Sequence, residues 1–169
     1  MKNYLIALMM LVSLPLAADS EWDQVRKALT EPTQITVYRS PNCQCCHKWI
    51  EHLRKHNFTV DDQVTHNLEA IAPRQKVPTV MRSCHTAVIN GYLIEGHVPA
   101  QDIKRLLVEK PPITGLSVPE MPVGTPGMEM GARKDNFTVV SFDKDNQFRI
   151  FNRYEVGPEQ LYQSVSTGE

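Results

Sequence analysis

Cys43, Cys45 and Cys46 stand in one run, Ser40-Pro41-Asn42-Cys43-Gln44-Cys45-Cys46-His47-Lys48-Trp49, and the remaining cysteine, Cys84, lies far downstream. Thiolate is both a nucleophile and a soft metal ligand, so the run admits two chemistries. Cys43 and Cys46 have the C-x-x-C spacing of a dithiol redox site, with Cys43 as candidate catalytic nucleophile and Cys46 as its resolving partner. Cys45 is one thiol more than such a switch needs. With it, Cys43, Cys45, Cys46 and Cys84 become candidate ligands for a soft ion. Two structural disulfides are the ordinary alternative in an exported chain. Adjacent cysteines rarely bridge each other, however, and Cys84 alone lies outside the cluster to receive a bridge.

The elements that must position these sulfurs are legible on either side. Gln34 to Tyr38 is a β-rich run with Ile35 and Val37 on one face. A helix-like run follows and reaches about His56. It sets the cysteines at a helix start, where free N–H groups and the dipole favour thiolate. On that helix Cys46, Ile50 and Leu53 share one face and Cys45, Trp49 and His56 another, so Cys43 must sit in the preceding turn. Asn57 is the expected stop, Phe58 to Val64 reads as a strand, Leu68 to Pro73 as a short helix and Lys76 to Val80 as a third strand. Asn90-Gly91 accepts positive φ at both positions, which predicts a hairpin between Ala87-Val88-Ile89 and Tyr92-Leu93-Ile94. Pro99 opens a helix with the stripe Ile103, Leu106, Leu107, and Pro111-Pro112 stops it. Trp22, Val25 and Leu29 predict a leading helix over Glu21 to Thr30.

The expected class is α/β. A β-α-β half followed by a β-β-α half, with C-x-x-C at the first strand–helix junction, is the thioredoxin-like arrangement, assigned here to residues 19–112. Its resemblance implies a cis Val77-Pro78 bond facing the cysteine pair and a position for Cys84 close to the other sulfurs. Residues 113–169 are expected to form a C-terminal extension packing on the metal site. In it, proline and glycine argue against regular structure over Gly115 to Gly131. Met121, Met128 and Met130 lie in that loop, where there is little core to fill. Thioether selects Cu(I), which makes Met121 and Met128 the leading thioether candidates. Phe137 to Phe142 and Phe148 to Phe151 alternate around Asp145-Asn146 as a closing hairpin.

Of six histidines, His52 and His56 are four apart on the cysteine helix. Among Glu51, Arg54 and Lys55 they read as a solvated polar face rather than a metal pair. His47 and His85 each follow a cysteine, and His97 ends a strand before a helix. Each of the three is placed to ligate copper or tune a thiolate, with His97 the metal candidate. His66 reads as surface.

Lys2, the uncharged run Tyr4 to Ala17 and the small residues before Asp19 match an export signal over residues 1–18. The apolar core is shorter than the roughly 20 residues of a membrane span. The formal net charge is −1, and loss of the leader removes one more positive charge. That balance excludes an electrostatic case for nucleic acid or an anionic membrane. The expected product is an exported soluble monomer without stable membrane insertion.

Four motifs in order resemble the CopG family of bacterial copper-resistance proteins, long catalogued as a domain of unknown function. They are Cys43-Gln44-Cys45-Cys46-His47-Lys48-Trp49; Ser83-Cys84-His85-Thr86-Ala87; Gly91-Tyr92 with Ile94-Glu95-Gly96-His97-Val98-Pro99-Ala100; and Met121-Pro122-Val123-Gly124 with Pro126-Gly127-Met128-Glu129. The resemblance implies a periplasmic thioredoxin-like domain whose extension helps bind metal. It also implies a multinuclear copper cluster bridged by cysteine sulfur, and interconversion of Cu(I) and Cu(II) that eases copper export by efflux components. Gln44 departs from the glycine expected there, which alters the turn and removes no ligand.

Three functions compete. The first is a copper-binding redox protein, in enzyme terms a copper oxidoreductase, in which a Cys43–Cys46 disulfide would couple copper valence to thiol redox. The second is an exported thiol–disulfide oxidoreductase, which needs neither Cys45 nor the methionine loop. The third is a passive copper chaperone or sequestration protein. Zinc is a poorer match, since tetrahedral sites draw on two separated ligand pairs.

Overall fold

The computed structural model describes residues 20–24 and 31–165. The expected export signal lies outside the described residues, as do residues 25–30 of the expected leading helix. Of that helix, Glu21–Asp23 form a single 3-10 turn capped by Ser20.

The elements run β1 (Thr33–Arg39), α1 (Gln44–Lys55), β2 (Phe58–Val64), a 3-10 turn and α2 (Ala72–Gln75), β3 (His85–Ile89), β4 (Tyr92–Glu95), α3 (Ala100–Glu109), β5 (Gly115–Ser117), β6 (Phe137–Phe142), β7 (Phe148–Val156) and β8 (Tyr162–Val165). All eight strands join one sheet in the order β2-β1-β3-β4-β5-β6-β7-β8. β1 pairs with β2 in parallel and with β3 antiparallel; β3 and β4 form the predicted hairpin, with φ 47° at Asn90 and 86° at Gly91. β4 pairs in parallel with β5, and the remaining pairs are antiparallel.

Three expectations about the backbone are corrected. Lys76 to Val80 is not a strand. Pro78 caps a 3-10 turn, Thr79–Met81, whose Met81 N–H bonds the Pro78 carbonyl. Proline brings no N–H to a sheet ladder, and the position beside β1 belongs to β3. All described peptide bonds are trans, so the cis Val77-Pro78 bond is absent as well. Gly115 to Gly131 is not wholly irregular either, because its first three residues form β5, paired on both sides.

The core gathers Ile35 and Val37 of β1, Trp49, Ile50 and Leu53 of α1, Ile103 and Leu106 of α3, and Leu116 and Val139 of the later strands. Burying such a side chain fully contributes roughly 1.5–3 kcal/mol. α3 ends where Lys110 turns left-handed (φ 49°) before Pro111-Pro112. The chain's first turn also reaches the extension. Trp22 sits among Phe137, Tyr154 and Tyr162 and donates its indole N–H to the Gly124 carbonyl at 2.7 Å, while Glu21 pairs with Lys134. No helix among the described residues is long and apolar enough to cross a membrane.

His52 and His56 do not form a solvated face. Both are buried, because α1 is covered on that side by α3 and the Trp22 turn. The Ala100 N–H donates to His52 Nε2 at 3.0 Å. His56 Nε2–H donates to the Trp22 carbonyl, and the Lys104 ammonium lies 3.4 Å from His56 Nδ1. Burial, reinforced by neighbouring His56 and Lys104, holds His52 well below the usual histidine range; burial also lowers His56, against the pull of the Trp22 carbonyl. Each ring is therefore neutral when folded at a pH where the unfolded chain already takes up a proton. Stability is complete above the unfolded value of 6.5 and falls as pH drops from there through the lowered folded values. The slope is at most about 1.4 kcal/mol per pH unit for each ring. Urea unfolding of the metal-free protein should show stability declining from pH 6.5 to 5; a flat profile would show these rings carry charge in the fold.

Candidate metal centre

Backbone pairing brings the four sulfurs together. β1 ends at Arg39, which pairs with His85 at the start of β3, so Cys84 arrives beside the turn that leads from β1 into α1. Cys43 caps α1, its sulfur accepting the Cys46 N–H at 3.3 Å. Cys43 and Cys46 are joined in a disulfide, while Cys45 and Cys84 are free thiols. Cys45 Sγ lies 3.5 Å from Cys43 Sγ and 3.9 Å from Cys84 Sγ, and Cys46 Sγ lies 3.4 Å from Cys84 Sγ. Cys46 is buried and the other three sulfur residues are partly exposed.

The Cys84 segment is held from behind by charge. Glu95 is fully buried and accepts from the Ser83 N–H at 2.6 Å, the Thr86 hydroxyl at 2.7 Å and Arg74 Nη1 at 2.9 Å. Arg74, itself buried, also donates Nη2 to the Ser83 carbonyl at 3.0 Å. Burial raises the Glu95 pKa, against which the Ser83 N–H, the Thr86 hydroxyl and Arg74 all pull. Residues on either side of Cys84 are thus fixed by one ion pair. Sequence reasoning did not single out Arg74 and Glu95 in this role, and nothing in their local spacing signals a pair 21 residues apart.

Two histidines complete a second group around the same sulfur. His85 Nδ1 lies 3.5 Å and His97 Nε2 3.7 Å from Cys84 Sγ, and both rings are fully buried. Their other nitrogens face backbone carbonyls: His85 Nε2 faces Gly96 at 3.0 Å and His97 Nδ1 faces Pro126 at 2.7 Å. A carbonyl only accepts, so those nitrogens carry the hydrogens. The nitrogens facing Cys84 therefore present lone pairs, the arrangement that orients metal-binding histidines. Four sulfurs form one group of mutually close ligand atoms, and Cys84, His85 and His97 form another; Cys84 belongs to both. His47 stands apart, half-exposed and 3.4 Å from Glu51.

The methionine loop lies against α1. A side chain at Gly127, where φ is +83°, would meet Trp49 N at 2.7 Å and the Cys45 carbonyl at 2.9 Å, so only glycine lets the loop lie this close to the cysteine turn. Met128, next to it, is half-buried, whereas Met121 and Met130 are exposed. Burial, helped by the Cys45 sulfur, pushes the Cys84 thiol up to about 12, and burial pulls His97 down to about 4. At neutral pH the site offers neutral imidazoles and a thiol whose proton an incoming metal must displace. Thiolate with imidazole suits copper.

The family described as "Protein of unknown function, DUF411" matches residues 81–128, which take in Cys84, His85, His97, Met121 and Met128. No curated protein matches. Among solved structures, form 2 of the copper resistance protein CopG is similar at 46% identity, covering 74% of this chain and 100% of that chain with a TM-score of 0.70. Form 1 of the same protein is similar at 47% identity, covering 73% of this chain and 98% of that one, with a TM-score of 0.68. With that identity over most of its length, and with the Cys-x-Cys-Cys run and Cys84 meeting at one site, the chain belongs to the CopG family of copper resistance proteins.

Proposed function

We propose that this chain is a periplasmic copper-binding protein of copper resistance that holds several copper ions on its four cysteines and interconverts Cu(I) and Cu(II). The observation that carries this is Cys84, whose single sulfur belongs to both ligand groups and can bridge two ions. The Cys43/Cys46 pair supplies the redox partner, with the disulfide as its oxidised state. Two Cu(II) ions accept one electron each from the Cys43 and Cys46 thiols, giving two Cu(I), one disulfide and two protons released to solvent. Met128 is the thioether best placed to close the site, with Met121 at the surface. In this reading residues 19–112 form a thioredoxin-like domain, a view supported by the order β2-β1-β3-β4 with β3 antiparallel to its neighbours. Residues 113–169 cover the site, and Cu(I) passes to efflux components.

A second reading has one observation in its favour: a closed Cys43–Cys46 disulfide with Cys43 partly exposed and Cys46 buried suits a thiol–disulfide oxidoreductase. Copper content separates the two. The reduced protein, titrated without oxygen with Cu(I) against a colorimetric chelator, should bind more than one copper per chain, and Cys45→Ser should lose together the ions held by the four-sulfur group. Absence of bound copper with rapid reduction of a test disulfide would leave the thiol enzyme.

A further inference from the structure

Closure of the Cys43–Cys46 disulfide does not affect the two ligand groups equally. It removes two sulfurs from the four-sulfur group and leaves Cys45 and Cys84. The group of Cys84, His85 and His97 loses nothing, because none of its three ligand atoms takes part in the disulfide. Its residues are held by contacts of their own, although Cys84 Sγ lies 3.4 Å from the Cys46 sulfur of the disulfide. His85 is fixed by the Gly96 carbonyl and by stacking on Trp49 at 4.4 Å between ring centroids, and His97 by the Pro126 carbonyl. Cys84 is held by the Arg74–Glu95 pair through Ser83 and Thr86.

We propose that the disulfide-closed protein keeps a one-copper site formed by Cys84, His85 and His97, distinct from the four-sulfur group that closure dismantles. The inference rests on the copper reading above and adds a second holding state to it. Metal–thiolate and metal–imidazole bonds run about 2.3 and 2.0 Å. Sulfur–nitrogen separations of 3.5 and 3.7 Å therefore leave room for one ion between the three atoms without moving the backbone. One thiolate with two imidazoles is the ligand set that accepts Cu(II) as well as Cu(I), whereas an all-sulfur set favours Cu(I). The two groups thus differ in valence preference, and the Cys84 proton leaves to solvent when the ion enters. A protein that has just oxidised its dithiol, and so holds Cu(I), would still retain one ion at a site that also accepts an incoming Cu(II).

The test uses Cys45→Ser, which leaves Cys84 as the sole thiol once the Cys43–Cys46 disulfide is formed with diamide and confirmed by peptide mass mapping. One equivalent of Cu(II) is added, and separately Cu(I) from a colorimetric chelator. Copper per chain, the paramagnetic resonance spectrum and the thiolate-to-copper absorption band are then recorded. One retained copper with that band is expected, weakened at least about 10-fold by His97→Gln and by His85→Gln. Circular dichroism checks that both variants fold, and His85→Gln keeps an amide nitrogen where Nε2 donates to the Gly96 carbonyl. If the closed protein holds no copper while the reduced wild type does, this inference fails and the copper function stands. Copper held without the band, or unaffected by both histidine variants, also overturns it. If neither form holds copper, both readings fall.

Discussion

Arg74→Met is expected to destabilise the protein by roughly 3–5 kcal/mol, the cost of leaving one partner of a buried ion pair uncompensated. Neither partner is near enough to solvent for water to soften that cost: the Arg74 side chain is 6% exposed and that of Glu95 0%. The loss has a pH signature. Burial already raises the Glu95 pKa, and without the guanidinium it rises further above its unfolded value. The folded variant then binds a proton that the unfolded chain releases, so the deficit grows as pH rises and shrinks in acid. Urea unfolding at pH 5 and pH 8 measures both effects. Pairing the change with Glu95→Gln should recover part of the loss, since the amide oxygen can still accept from the Ser83 N–H while its NH2 donates to the Thr86 hydroxyl. A deficit below about 1 kcal/mol at pH 8 would mean that water reaches the pair and that Cys84 is positioned by other contacts.

Cys84→Ser carries the largest expected functional effect. Of the cysteines and histidines in the two groups, each belongs to one, except that Cys84 belongs to both. Serine keeps the size and loses the soft sulfur, so Cu(I) affinity should fall by about 100-fold or more, with the copper count per chain dropping to one or none. Stability should change by less than about 1 kcal/mol, since the residue is only partly buried and a serine hydroxyl can take up the contacts to His85 and His97. Chelator competition on the reduced variant reads the affinity. Unchanged stoichiometry would remove the bridging sulfur from the proposal and leave two unconnected sites.

How much of this was legible in the amino-acid order depends on how local each determinant is. β1, α1, β2, the Asn90-Gly91 hairpin and α3 follow from spacing, turn chemistry and stop signals within a few residues, and the structure places them where those signals point. Lys76 to Val80 failed because β-rich composition describes a half-buried pleated surface, and this segment has no neighbouring strand to pair with. β5 was missed for the opposite reason: Gly115-Leu116-Ser117 has little strand preference and is extended because β4 and β6 hold it from both sides. β8 was missed too, its strand made by pairing with β7. His52 and His56 looked solvated beside charged neighbours, but their partners, Ala100 and Trp22, come from 48 and 34 residues away. The site divides in the same way. The cysteines and His97 are visible from chemistry alone. The nearness of Cys84 was expected through a cis-proline that does not exist, and arises instead from the pairing of Arg39 with His85.

The placement of Trp22 has a consequence for the order in which the molecule can be completed. Its ring is enclosed by Phe137, Tyr154 and Tyr162, and its indole N–H is taken by the loop at Gly124. A chain made from its N-terminus delivers residue 22 well before residues 137 to 162, so this contact closes late however early the cysteine helix forms. The sulfurs, His85 and His97 are all in place in sequence before the loop that carries Pro126 and Met128 has been anchored. For an interval the thiols stand uncovered, and the turn at Glu21–Asp23 serves as the latch that ends it.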